Sequence, residues 1–167
     1  KKIKIIGDKS LSKRDFSRVI KPLESFGAKF YPNQRKKLPL SIIGSEITKP
    51  INYIENRASA QCKSSVMLAA LNTSGITSIK AKKSRNHTEL LFRYLKIPIK
   101  VKKTKKFDHI KIKGKKKIHS FNYTVPADIS SSAFFIVLTA LSNNSKLLIK
   151  NVNINPSRTG VIKILKK

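Results

Sequence analysis

Ser59, Ser84, Ser130 to Ser132 and Ser157, together with Arg14, Arg85 and Arg158, all stand at or just before the predicted start of a helix. A helix start offers unpaired N–H groups and about half a positive charge, so it attracts anions; hydroxyl and guanidinium groups placed there extend the attraction. Serine alone needs no ligand to explain it, since it is a favoured N-cap worth about 1 kcal/mol. Arginine does, because a cation at the positive end of a helix is set against the dipole. Three such arginines suggest several helix ends converging on one small polyanion, a phosphorylated metabolite held between repeats or domains.

Other groups offer less. The "GDKS" turn is too short for a phosphate-cradling glycine loop. His87 and Glu89 could form an acid/base pair, but residues two apart on a helix face different ways. Cys62, with no histidine near it in sequence, reads as a small buried side chain rather than a nucleophile. Asp128, ahead of "ISSSAFF", reads as a helix cap or as a functional carboxylate. Three scattered His and eight acidic residues make no cluster at metal-ligand spacing.

The elements that must position these residues follow from hydrophobic period and from turn residues. A strand at "KIKII" leads to a helix over about 13–26, where Phe16, Val19, Ile20, Leu23 and Phe26 share one face, Pro22 should bend or weaken the helix, and Gly27 stops it. Strands are predicted near 38–43 and 47–54, a helix over about 59–73 with Leu68 and Leu71 in the core, a strand at "ITSIKA", and a helix over about 86–95. Next come strands at "IKVKK", "HIKIKG" and "FNYTV", a helix over about 129–141, a strand at "SKLLIKNV" and a last helix opening at Ser157.

The second half of the chain repeats the first. Leu68, Ala70, Leu71, Ile79 and Lys80 recur 70 residues on as Leu138, Ala140, Leu141, Ile149 and Lys150, while Arg14, Arg85 and Arg158 are separated by 71 and 73 residues. The repeated unit reads strand, helix, strand, helix, strand, strand, with about two copies and a remnant present. The fold class is therefore α/β (α+β), built by duplicating one βαβαββ unit.

Composition bounds the partners. The 167 residues, 40% hydrophobic, can bury a genuine core. A net charge of +29 normally argues for a polyanion. The basic residues are mostly lysine, however, and ten of these lie in "KVKKTKKFDHIKIKGKKK", partly alternating with Val, Phe and Ile as on a strand with one solvated face. Only Phe107 interrupts that run, so a nucleic acid is not the expected partner. No apolar run approaches the ~20 residues of a membrane span, and the single Cys62 fits a reducing compartment. A first residue that is not Met and an end in mid-helix suggest a piece of a longer protein.

Five stretches in one order carry a resemblance: "GDKSLSKRDFSRVIKPLESFGA", "ASAQCKSSVMLAAL", "SRNHTELL", "VPADISSSAFF" and "NINPSRTGVIKIL". Together they resemble the 3-phosphoshikimate 1-carboxyvinyltransferase (5-enolpyruvylshikimate-3-phosphate synthase) family from Gly7 onward. The resemblance implies a two-domain, inside-out α/β barrel with three βαβαββ units per domain. Residues 1–125 would be part of the first domain and 126–167 the start of the second, crossing near Val125. It implies transfer of the enolpyruvyl group of phosphoenolpyruvate to the 5-hydroxyl of 3-phosphoshikimate, through a tetrahedral ketal, by a cytoplasmic (in a plant-like source, plastid) monomeric enzyme of aromatic amino-acid biosynthesis, without cofactor or metal. Arg14 and Gln61 match phosphoenolpyruvate contacts. Ser59, Ala60, Gln61, Ser84 and Arg85 match 3-phosphoshikimate contacts, with His87 near the shikimate ring and Asp128 at the crossing.

Three positions depart from the family pattern. Asp15 replaces a proline and is placed to compete for Arg14, Asn86 replaces an aspartate, and Ala127 replaces a glycine. The family's acid/base groups match no residue here, so the piece by itself is expected to be inactive. Two other readings are an enolpyruvyl transferase acting on a nucleotide sugar, and a Lys-rich nucleic-acid-binding module.

Overall fold

A computed structural model describes residues 2–32 and 36–166. The chain divides into two compact units, Lys1–Ile118 and His119–Lys167.

The first unit opens with strand β1 (Lys2–Ile5), a 3-10 turn (Leu11–Lys13), helix α1 (Ser17–Ser25), and strands β2 (Lys29–Tyr31) and β3 (Leu40–Ile43). These strands form an antiparallel sheet in the order β1-β3-β2. Next come β4 (Asn52–Glu55), α2 (Ala60–Leu71), β5 (Ile76–Lys82), α3 (His87–Tyr94), β6 (Ile99–Lys103) and β7 (Phe107–Lys113). This is one complete βαβαββ unit, and its sheet runs β4-β5-β7-β6, parallel between β4 and β5 and antiparallel elsewhere. The segment β1-α1-β2-β3 has the order and pairing of β5-α3-β6-β7, so it is the second half of a preceding unit.

Alternation decides which sheet face is covered. Ile79 and Ala81 of β5, and Ile110 and Ile112 of β7, are buried with Val66, Met67 and Ala70 of α2 and Phe92 of α3. Between them Lys80, Lys82, Lys100, Lys102, Lys111 and Lys113 are exposed, so the lysine run is the solvated face of this sheet. A smaller cluster of Ile20, Phe30, Leu38 and Leu40 joins α1 to the first sheet.

The second unit holds α4 (Ile129–Leu141), α5 (Gly160–Leu165) and a parallel bridge between Ala127 and Val152. That sequence of bridge, helix, bridge, helix matches β4-α2-β5-α3. Among the described residues, no helix is long and apolar enough to cross a membrane.

Several expectations need correction. The helix predicted from residue 13 begins at Ser17, because a 3-10 turn and an extended Arg14 (φ −75°, ψ 147°) occupy its expected first turn; Pro22 lies inside it. Strand β2 carries no clear alternation signal in its three residues and was not expected. The strands expected at "FNYTV" and "SKLLIKNV" do not form; only Val152 makes a bridge. Extended segments need a laddered partner to close their hydrogen bonds, and periodicity cannot supply one. Leu68 is 53% exposed, while Cys62, Lys63, Val66, Met67 and Ala70 form the buried face of α2. A helix apolar nearly all round does not reveal which stripe faces the sheet.

Candidate functional site

The site is built by the parallel pairing of β4 and β5. Glu55, the last residue of β4, registers beside Ala81, so residues 56–59 and 83–86 leave the sheet at the same edge and the two following helices start side by side. Clefts at the carboxyl ends of parallel strands are where such sheets bind ligands.

Between β4 and α2, the Arg57 N–H donates to Glu55 Oε1 at 2.9 Å, and Ala58 holds a left-handed φ of 55°. Ser59 then turns extended, and its Oγ accepts from the Cys62 N–H at 3.2 Å. This is the capping expected of serine, and it leaves the N–H groups of Ala60 and Gln61 outside the helical ladder. Between β5 and α3 stand Ser84, Arg85 and the N-cap Asn86.

Ala60, Gln61, Ser64, Arg85, His87 and Thr88 line a depression of about 200 Å3. Of the residues expected at the site, this brings Ala60, Gln61, Arg85 and His87 together, with Ser59 and Ser84 adjoining them in the chain. Gln61 and Arg85 are exposed, Ser59 and His87 half-buried. The Ser84 Oγ is enclosed with no hydrogen-bond partner among the described residues, so it is an idle donor at the head of α3. Ser64 Oγ and Thr88 Oγ1 lie 2.7 Å apart and tie the two helices together.

Lys63 was not singled out by its sequence setting, and it is the most informative residue here. Its side chain is fully buried, donates a hydrogen bond from Nζ to the Arg85 carbonyl at 2.9 Å, and lies 2.6 Å from Glu89 Oε1. The contact with Glu89 is too bent for a hydrogen bond and is an ion pair; Oε2 of Glu89 is buried with no hydrogen-bond partner among the described residues. Glu89 therefore pairs with Lys63, on its inner face. A readable signal existed: Lys63 falls at the spacing of Val66, Met67 and Ala70, where a cation must be compensated.

Arg14 is exposed and lines neither this depression nor a larger one of about 330 Å3 at α1 and the start of α2. That second hollow is lined by residues including Arg18, Lys21, Tyr53, Glu55, Arg57 and Cys62; burial pushes the Tyr53 hydroxyl above its ordinary 10.0. Asp15 accepts from the Ser17 N–H at 2.7 Å, a bond that holds its carboxyl below the ordinary value, with Lys36 and Arg18 contributing. It holds the first N–H of α1 from one position ahead of the N-cap Phe16, and no Asp15–Arg14 ion pair forms among the described residues. Cys62 is buried, in keeping with a packing role.

In the second unit Asp128 is a helix cap that also pairs with an arginine. Its Oδ1 accepts from the Ser130 N–H at 3.0 Å and caps α4, while Arg158 reaches it at 3.2 Å and also donates to Ser130 Oγ. These bonds, the backbone one first, hold its carboxyl below 3.8. Arg14, Arg85 and Arg158 thus occupy the same place in successive units, two or three residues ahead of α1, α3 and α5. Among the described residues, no three His, Cys, Asp or Glu group closely enough to hold a metal ion.

Known proteins resemble the chain along its whole length. The family described as EPSP synthase (3-phosphoshikimate 1-carboxyvinyltransferase) matches residues 1–167. The 3-phosphoshikimate 1-carboxyvinyltransferase of Thermotoga sp. (strain RQ2) is 41% identical over 163 residues, covering 97% of this chain and 37% of that protein. The enzyme of the same name from Petrotoga mobilis is 42% identical over 165 residues, with the same coverage. Among solved structures, EPSP synthase from Acinetobacter baumannii superposes with a TM-score of 0.82 at 40% identity, covering 99% of this chain and 37% of that one. The chain thus spans about 37% of the length of these relatives.

Proposed function

The chain belongs to the 3-phosphoshikimate 1-carboxyvinyltransferase family, and on that premise we propose that it is the central part of an enzyme moving the enolpyruvyl group of phosphoenolpyruvate onto the 5-hydroxyl of 3-phosphoshikimate. The hydroxyl oxygen adds to C2 of phosphoenolpyruvate, giving its own proton to a base, as C3 takes a proton from an acid. The resulting tetrahedral ketal then expels phosphate as C3 gives the proton up.

The observation that carries this reading is the pairing of two helix starts at one sheet edge, with the Ser84 hydroxyl idle between them. Ser84 and Arg85 would take the 3-phosphate, where hydroxyl, guanidinium and dipole act together. Ser59, Ala60 and Gln61 would hold the shikimate side, Gln61 also touching phosphoenolpyruvate, with His87 against the ring. Arg14 would reach phosphoenolpyruvate from the preceding unit. The groups that move protons would come from outside this chain, so the piece alone would not turn over.

The crossing between domains is placed near Val125, making 1–125 part of one domain and 126–167 the start of the next. In support, residues 119–126 form no helix or strand, and a new bridge and helix follow. A cytoplasmic, monomeric protein that needs no cofactor completes the proposal. Phosphate release by the full-length protein from the two substrates together, and from neither alone, tests it; full-length protein that releases none would overturn it.

A further inference from the structure

Lys63 and Glu89 touch none of the groups proposed to bind substrate through their side chains, yet both are charges buried beside the site. Resting on the reading above, we propose that this pair are positioning residues, fixing the Ser84–Arg85 backbone so that the site is set for the substrate's 3-phosphate before it arrives.

Stability does not account for the pair. Enclosing a lysine and a glutamate costs several kcal/mol per ion, and an apolar pair of similar volume is often as stable or more so. At the corresponding places in the second unit, 70 residues on from Lys63 in α4 and 73 on from Glu89 in α5, stand the half-buried Ala133 and Ile162. Of these two units, only the one that carries Ser84 has a lysine and a glutamate at those places.

Direction of bonding indicates what the pair does. The aligned hydrogen bond of Lys63 Nζ goes to the Arg85 carbonyl, while Glu89 supplies only the opposing charge. Arg85 lies between the end of β5 at Lys82 and the start of α3 at His87, outside either ladder. The Lys63 ammonium donates to its carbonyl from a neighbouring helix, across 22 positions of sequence. A lysine anchored in α2 therefore sets the orientation of the Arg85–Asn86 peptide, one residue past Ser84. It does so from the same helix whose first residues are Ala60 and Gln61, locking the two halves of the site to each other.

The test uses the full-length protein with the double variant Lys63→Met/Glu89→Leu, which removes both charges and keeps the volume. The expected melting temperature is close to wild type. KM for 3-phosphoshikimate should rise about tenfold, the scale of one lost charged hydrogen bond. The kcat and the KM for phosphoenolpyruvate should change less than about twofold. A folded double variant with unchanged KM for 3-phosphoshikimate overturns the inference while leaving the proposed function standing. Wild-type protein that fails to turn over overturns the function instead. Hydrogen exchange then decides the positioning role: loss of amide protection at residues 84–88 in the folded double variant supports it, and unchanged protection sinks it. Should the double variant not fold, the same exchange readout on Lys63→Arg, which shifts the donor and keeps the charge, decides in the same way.

Discussion

Ser84 separates two roles that an enclosed hydroxyl can have. Its Oγ has no hydrogen-bond partner among the described residues, so Ser84→Ala should leave the melting temperature of the full-length protein unchanged or raise it, since an unsatisfied buried group is removed. The same change should raise KM for 3-phosphoshikimate about tenfold, the amount expected when one hydrogen bond to a charged ligand is lost. A stability loss without a KM change would make Ser84 a packing residue. Asp128 offers a different kind of test. Its folded pKa lies below 3.8, so its charge stabilises fully above that value, and the contribution fades as pH falls through the lower folded value. Asp128→Asn keeps an acceptor for the Ser130 N–H and discards the charge. Melting temperatures of the two proteins should therefore differ near neutral pH and converge in acid below 3.8. A difference that persists unchanged in acid would mean that the charge is not what matters.

At the scale of elements, the ends of α2 decide where the site sits. Ser59→Ala should cost about 1 kcal/mol in a denaturant melt through the lost cap, and Ser59→Asp should recover most of it. At the other end, the Lys115 N–H donates to the Leu71 carbonyl at 2.8 Å, and the chain reaches that point through Gly114. A Cβ on Gly114 would run into the carbonyl oxygens of Ala70 and Thr73. Gly114→Ala should therefore destabilise by about 3 kcal/mol, the upper range for forced overpacking. Gly44→Ala, where an added methyl meets nothing, serves as the neutral control. The elements also differ in how readily their sequence shows them. Helix α4 and strand β6 were found with the ends they have, because a cap or an unbroken alternation marks both boundaries. The strands expected at "FNYTV" and "SKLLIKNV" looked as good locally and did not form, because a strand is a property of a pair.

For the whole molecule, part of the net charge of +29 is spread over the solvated face of the β4-β5-β7-β6 sheet. Lys100 and Lys111 stand directly opposite each other on the exposed face of β6 and β7. Lys111→Glu should gain about 0.5 kcal/mol at low salt, a cross-strand pair's worth, and the gain should vanish toward 1 M salt as the charges are screened. Melting curves of the full-length protein across salt would show it, and a gain indifferent to salt would rule out repulsion as the cause. Beyond charge, the sequence by itself determined the repeated unit, the capped helix starts and the candidate residues Ser59 to Gln61, Ser84 and Arg85. All of these are written in local spacing, residue type and order along the chain. Only the tertiary structure decided that β4 and β5 run parallel, bringing two of those starts to one edge, that Leu68 faces outward, and that Lys63 is buried against Glu89 and the Arg85 carbonyl. Such facts join residues some twenty or more positions apart, and which partner a strand or a buried charge finds is fixed by packing, which no local pattern encodes.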